Sequence, residues 1–485
     1  MDESAIKIGK KAFLFSVSII LLLMIFSGVL TMVLPSGTYD RFIENGRTMV
    51  VNDSYRETAK PNYPFWRWFA APLEVLVTGP DNITPIVVIL FIAVVGGSIS
   101  VLEGAGILSN LVNMLVTRFA KKKYLLIALI ILFFMSIASF VGIYEGMIPM
   151  VIFIIPIAIS LGWDSLTGLG LSLLALSFGF FSAVTNPFTI AVPQRIADLP
   201  LFSGAWLRII FFALIYCIVT FFMIRYAKKI EANPSKSLCY KEDEALRKKL
   251  LGNKSVTEKK AAMDKRSWRA LFWFCGCLLT AMIIVVTGAR IPGLSDLAFP
   301  VMALLFLIGG IGGGFIAGLG ARKTGSSFGK GVINILPGIF LVLMAYSVKH
   351  IIVTGQIMDT ILFNAAELIR KSPPMTAAFL IYAITLVMNF FIPSASAKAF
   401  LMMPILAPLA DLVGVTRQTA VLAFDFGDGF CSMLFPTNPL LLVALSFSTI
   451  GYTKWIAWTW KLQILVFLVT AAFLVFAVKI GFGPF

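Results

Sequence analysis

Two stretches, AVTNPFTIAV at 183–192 and FPTNPLLLVA at 435–444, decide how this chain is read. Each sets a Thr-Asn-Pro triplet near the middle of a long, largely apolar run, 165–194 in one case and 418–449 in the other. Proline has no N–H to donate and its ring collides with the carbonyl four residues back, so Pro187 and Pro439 release the oxygens of Ala183 and Phe435 from the helical ladder. Backbone polar groups exposed to hydrocarbon cost several kcal/mol each, so such breaks must be buried in protein or line a wet cavity. Thr185, Asn186, Thr437 and Asn438 add hard oxygens beside those carbonyls, which suits a small cation such as Na⁺. The resumed half-helices begin with partial positive charge, which suits an anion. A single triplet reads as an ordinary proline kink buttressed by neighbours. Two at corresponding positions read as a site.

The positions do correspond. An offset of 252 residues carries Met150 onto Met402, Pro156 onto Pro408, Gly162 onto Gly414, the first triplet onto the second and Trp206 onto Trp458, without gaps. This is the mark of a duplication.

The surroundings are a membrane. Of 485 residues, 59% are hydrophobic and 13% charged, and the mean hydropathy is +0.93, which describes a polytopic membrane protein. The net charge of +16 would suggest nucleic acid in a soluble chain, but here the basic residues gather in short segments between apolar runs, so nucleic-acid binding is excluded. One histidine, His350, argues against His-based metal sites and His-dependent triads. Cys217, Cys239, Cys275, Cys277 and Cys431 show no framework spacing and are expected as free thiols. No Walker A motif is present, so ATP is not the driver.

Residues 13–34 read as a retained first span behind Lys7, Lys10 and Lys11, which places the N-terminus in the cytoplasm. A translocated loop follows at 35–82, then a returning span at 83–103 that lands beside Arg118, Lys121, Lys122 and Lys123. The chain then divides into a first repeat (1–227) with a hairpin at 124–163 and a broken helix at 165–198, a basic linker (228–269), and a second repeat (270–485) with a hairpin at 374–412 and a broken helix at 418–449. The linker holds 13 Lys or Arg against 6 Asp or Glu and is expected as a solvated cytoplasmic connector. Spans are expected at 270–289, 297–321 and 331–348, with Arg322, Lys323 and Lys330 inside, a surface helix at 355–371, and a last span at 456–480 that leaves the C-terminus outside. The second hairpin's return arm, read as 399–410, is too short at 12 residues to cross a bilayer and suggests re-entry. Counting crossings, the first hairpin starts and ends inside and the second outside. The fold class is therefore an all-α polytopic membrane protein of two inverted repeats, each with a re-entrant hairpin and a broken transmembrane helix.

Polar atoms collect at the hairpin tips: Ser139, Tyr144 and Glu145 in the first, Asn389, Ser394, Ser396 and Lys398 in the second. Glu145 and Lys398 are candidates for facing tips of opposite sign. Asp425 and Asp428 share a helix face, with Gly427 and Gly429 leaving room for close approach. At ~2.5 to 3.5 kcal/mol per charge in mid-membrane, these four groups would cost on the order of 10 kcal/mol unpaired. They should be paired, protonated or binding something. Arg195 and Asp198 are expected to reach the interface, and Gly309 to Gly318 to serve close helix packing.

The stretches GWDSLTGLGLSLLALSFGFFSAVTNPFTIAVPQRIADLPLFSG (162–204) and FFIPSASAKAFLMMPILAPLADLVGVTRQTAVLAFDFGDGFCSMLFPTNP (390–439) resemble the YfcC branch of the anaerobic C4-dicarboxylate carrier (DcuC-like) family, within the ion transporter superfamily. The resemblance runs nearly end to end. It implies a carrier of the bacterial cytoplasmic (inner) membrane, an elevator-type architecture, a homodimer, and solute with Na⁺ held by hairpin tips and broken helices. The sequence departs from the family's tip pattern at Ala395 and Ala397, and carries Asp425 where relatives carry an uncharged residue. The functional expectation is a secondary active transporter of a small carboxylate-bearing metabolite, an amino acid or a C4-dicarboxylate, by Na⁺- or H⁺-coupled symport or by exchange. Ser394, Ser396 and Lys398 would meet the substrate carboxylate; Glu145, Asp425 and Asp428 would hold an ammonium group or a coupling proton. No cofactor beyond a coupling ion is expected. An arginine/ornithine-type basic amino acid antiporter is the nearest alternative, and an intramembrane enzyme or a passive channel the more distant ones.

Overall fold

The computed structural model describes residues 10–44, 47–51, 53–78, 83–107, 122–251, 265–288 and 298–483. Lys7, Arg118, Lys121 and the linker stretch 252–264, which entered the reading above, lie outside the described residues. The chain is a multi-pass membrane protein. Among the described residues, eight helices are long and apolar enough to cross a bilayer.

The spans form where apolar runs leave the backbone no partner but itself. Lys10–Val33, Ile83–Gly104, Lys265–Gly288, Ala298–Ile316 and Ala321–Thr354 build one group. Small residues set its packing: a Cβ on Gly331 would lie 2.3 Å from the Gly96 carbonyl oxygen, and one on Gly310 would lie 2.4 Å from the Ser98 Cβ. The Ala321–Thr354 helix runs 34 residues, about 50 Å at 1.5 Å per residue. It exceeds the expected span because Arg322, Lys323 and Lys330 lie inside it rather than before it.

The 35–82 loop is built, not open. Ser36–Thr38 pairs antiparallel with Arg56–Thr58, and Arg41–Glu44 with Arg47–Val50. It is pinned to the chain 320 residues on: Gly37 N–H donates to Gln356 O at 3.0 Å, Arg41 forks onto Asp359 at 2.7 and 2.8 Å, and Tyr39 N–H donates to the same carboxylate. On the amphipathic helix Trp66–Val77, Glu74 receives a two-pronged bond from Arg67 and lies 3.1 Å from His350 Nε2. Burial works against the Glu74 charge, but the bonds to Arg67 and His350 outweigh it and hold the carboxyl below its ordinary value.

The first hairpin comprises Lys123–Ser136, a wide turn at Ile137–Val141, a tight turn at Glu145–Met150 and the return arm Val151–Ser160. The second comprises Pro374–Phe391 and Ala395–Leu412. Its return arm is 18 residues long, not 12, because Ser394 caps it and Ser396 and Lys398 sit in its first turn. At that length the arm is a candidate span, so shortness no longer argues for re-entry.

The linker also departs from expectation. Its first part is docked rather than solvated, and two fully buried carboxylates hold it. Asp164 caps Ser165–Leu169 by accepting from Thr167 N–H at 2.8 Å, and it accepts from the Tyr226 and Ser237 hydroxyls at 2.6 and 2.7 Å. Asp243, from the linker, accepts from Ser165 N–H at 2.8 Å and from Thr449 Oγ1 at 3.4 Å. Cys239 donates to Asp243 at 3.2 Å. Burial first, then the two carboxylates, push this thiol up, so it keeps its proton. In a chain retaining only Cys239, a maleimide should label slowly, and Asp243→Ala should speed labelling by about tenfold or more by releasing the segment locally; equal rates would show that the linker is not docked there.

Candidate functional site

At the first break, a neighbouring turn and Arg208 of the Ala205–Ala232 span supply partners. The helix Ala175–Phe181 stops, and Val184 and Thr185 N–H both donate to Ser139 O, at 3.0 and 3.2 Å. Ser139 Oγ donates to Ser182 O, Thr185 Oγ1 to Phe140 O, and Arg208 Nε to Val184 O at 3.1 Å. Asn186 Oδ1 accepts from Phe188 and Thr189 N–H at 2.8 and 3.4 Å, capping the resumed half-helix Pro187–Ile196, while its Nδ2 donates to Ala138 O. Gly142, at φ +80°, lets the hairpin turn come this close: a Cβ there would lie 2.6 Å from Asn186 Oδ1.

The second break repeats the device with different partners. Asn438 Oδ1 accepts from Leu440 and Leu441 N–H at 2.9 and 3.4 Å, capping Pro439–Ser446. Trp455 Nε1 donates to Met433 O at 2.8 Å and Tyr452 to Leu434 O at 2.7 Å. Phe435 O accepts from Asn438 N–H in a tight turn. The oxygens of both asparagines are thus turned to backbone amides. Thr437 Oγ1 is buried without a partner.

The two broken helices lie against one another with their ends exchanged. Arg417, at the start of the second, donates to Ala197 O at 2.8 Å and pairs with Asp198 at 3.1 Å, just past the end of the first. Gln194 and Gln418 bond there as well. At the other end, Ser165 of the first and Thr449, just past the second, both bond Asp243. Between them, the Phe181 ring meets Phe426 at a tilt and Phe430 edge-on, and a Cβ on Gly429 would lie 2.3 Å from the Phe181 Cα. Each hairpin meets the opposite break: Glu145–Met150 packs on Pro439–Ser446, and Ala395–Leu412 packs on Pro187–Ile196.

The charges divide unevenly. Lys398, fully buried, pairs with Asp428 and donates to Asn389 Oδ1; Asn389 Nδ2 in turn donates to Gly427 and Asp428 carbonyls. Glu145, half-buried at the other tip, has no ion pair with Lys398. Ser394 caps its helix from an exposed position, and Ser396 is half-buried. Asp425 is 1% exposed, and neither of its oxygens has a hydrogen-bond partner. Arg208 lies within electrostatic reach of it but spends its donors on Val184 and Phe202 carbonyls. Arg208 was missed in the sequence, although a lone arginine inside an apolar span is itself a signal. Thr189 and Asp243 carried none. A cavity of about 40 Å³ beside the first tip, lined by Ile143, Met147, Met150, Met302 and Phe306, is apolar and holds no candidate donor set.

The family model of the C4-dicarboxylate anaerobic carriers, DcuC, matches residues 13–479. This chain belongs to that family. It is 30% identical to YfcC of Escherichia coli K12, provisionally named a basic amino acid antiporter, over 96% of each chain. It is 27% identical to an uncharacterised protein of Haemophilus influenzae, covering 76% of this chain and 71% of that one. Among solved structures, the YdaH transporter of Alcanivorax borkumensis aligns at a TM-score of 0.40 and 16% identity, over 98% of this chain and 100% of that one. MtrF of Neisseria gonorrhoeae, described with a class of antimetabolite efflux pumps, aligns at 0.42 and 15%, over 96% and 95%.

Removing one member of a buried ion pair strands the other. Lys398→Met should therefore destabilise the protein by about 3–5 kcal/mol, while the added change Asp428→Leu should recover most of it. Melting temperatures of the purified variants check this, and a single variant as stable as the wild type would contradict the pairing.

Proposed function

We propose that this membrane transporter is a secondary active carrier of an amino acid bearing an extra positive charge, of the arginine or ornithine kind, working by exchange. A C4-dicarboxylate moved by symport with Na⁺ or H⁺ is the second reading. The observation that carries the first is the commitment of Lys398 to Asp428. With that cation neutralised, Glu145 is the charge left without an ion pair at the hairpin tips, and it is acidic. A doubly anionic solute would face that carboxylate; an ammonium or guanidinium group would be drawn to it. The provisional name of the E. coli relative points the same way.

The proposed architecture is two inverted repeats moving as an elevator, in a homodimer of the bacterial inner membrane, with the N-terminus cytoplasmic and the C-terminus outside. The exchanged ends of the broken helices support the inversion: residues assigned to one side of the membrane meet one another, Asp198 with Arg417 and Ser165 with Asp243 and Thr449. Solute would lie between the tips, with Ser394, Ser396 and the half-helix starts at Pro187 and Pro439 facing its carboxylate and Glu145 its side-chain charge. A Na⁺ ion, if coupled, would find its oxygens at Thr437, Thr185 and the break carbonyls rather than at the capped Asn186 and Asn438.

With no pH gradient, proteoliposomes loaded with L-ornithine should take up L-arginine, and empty ones should not; Glu145→Gln should reduce that exchange by about tenfold, the loss of one charge-assisted contact. Uptake of succinate without arginine would select the dicarboxylate reading, and uptake of neither, with no dependence on counter-substrate, Na⁺ or pH, would sink both.

A further inference from the structure

We propose that Asp425 is a proton-binding site, and that H⁺ is the ion this carrier couples through it. The inference rests on the carrier reading above but adds the ion and its seat. Asp425 stands on Arg417–Phe430, where that helix faces the other break, and 1% of it is exposed. Neither carboxylate oxygen is in hydrogen-bonding geometry with a partner, and neither is the buried hydroxyl of Thr189, on the resumed half-helix of the first break, although that hydroxyl lies close enough to act on the carboxylate as a hydrogen-bond donor. An ionised carboxylate in such a place is costly unless it is paired and hydrogen-bonded. Asp428, one turn away, meets that requirement with Lys398, which both pairs with its carboxylate and donates to it. Asp425 does not.

The groups facing it decide between cations. From Ala205–Ala232 comes Arg208, near enough to act electrostatically but outside ion-pair distance and bound to two carbonyls. From its own helix comes Asp428, already neutralised by Lys398 of Ala395–Leu412. Pro374–Phe391 offers Tyr382 as its one titratable residue, Ala175–Phe181 and Pro187–Ala191 offer none, and Val192–Ile196 offers the exposed Arg195. The charged groups of Tyr452–Lys479 are not buried. A metal cation here would sit beside a buried arginine with a carboxylate and one hydroxyl to hold it, far short of the six or so oxygens a hard cation gathers. A proton needs one oxygen and no room. When Asp425 is protonated, its O–H has Thr189 Oγ1 as an acceptor on the other broken helix. Ionised, Asp425 requires water or a shift of Arg208 toward it, as would follow when the half-helices separate and the site opens. Protonation is thereby tied to closure of the two breaks on each other.

Infrared difference spectra of the purified full chain, recorded across neutral and alkaline pH in water and in D₂O, test the site without any solute. The wild type should show the carbonyl stretch of an un-ionised carboxylic acid persisting above neutral pH, Asp428→Asn should retain it, and Asp425→Asn should lose it. A band absent from the wild type, or unchanged in Asp425→Asn, overturns the proposal. Coupling is tested in proteoliposomes with whichever of L-arginine or succinate proves to be transported. Asp425→Asn should lose accumulation driven by a pH gradient, and Asp425→Glu, which restores a protonatable oxygen, should regain part of it; accumulation that survives Asp425→Asn overturns the coupling. Should neither solute move, the carrier reading fails, and the spectra still decide the site.

Discussion

A helix interrupted inside a bilayer must find partners for the backbone groups it releases, and in this molecule that demand organises everything near the centre. The first break is answered by the turn at Ala138–Phe140 and by Arg208, the second by Trp455 and Tyr452. Because those partners belong to a hairpin and to flanking spans, neither break can be closed by its own helix. The hairpins are therefore held where they are by hydrogen bonding as well as by apolar packing, which in lipid offers little drive of its own.

Electrostatics follows from the same enclosure. One pair, Lys398 with Asp428, is fully satisfied and ties the second hairpin to the second broken helix. Arg208 spends itself on carbonyls and so serves as a clamp on the first break. What remains is acidic and incompletely answered: Asp425 between the broken helices and Glu145 at the first tip. A structural core would bury such groups only with partners, so the shortfall falls where the proposed solute and ion would act.

The breaks, the hairpins and most spans were legible because proline, asparagine and uninterrupted apolar length act locally. Thr-Asn-Pro announces a capped restart of a helix wherever it falls, and both triplets do this with nearly equal distances. Which oxygen each asparagine spends could not be read: the ion role suggested for Asn186 and Asn438 competes with capping, and the local amides take the oxygens. Pairing across the chain was equally hidden. Lys398 invites Glu145 by charge and by matching tips, but Asp428 lies on the adjacent helix and takes it. The linker misled for a related reason, since a net charge of +7 averages over a segment whose buried end carries Asp243, Cys239 and Ser237. The second hairpin's arm looked short because a buried lysine counts as polar in the sequence and as helix in the fold.

The proposed architecture requires the broken helices to run in opposite directions through the membrane with their ends exchanged. Side-specific labelling of single cysteines in intact cells, with a membrane-impermeant maleimide, tests it most directly. With Asp198→Cys and Asp411→Cys marking one end and Glu242→Cys the other, the account predicts that the first two react from outside and the third only after the cells are opened. Reaction of Asp198→Cys and Asp411→Cys from opposite sides, or of all three from the same side, would contradict it.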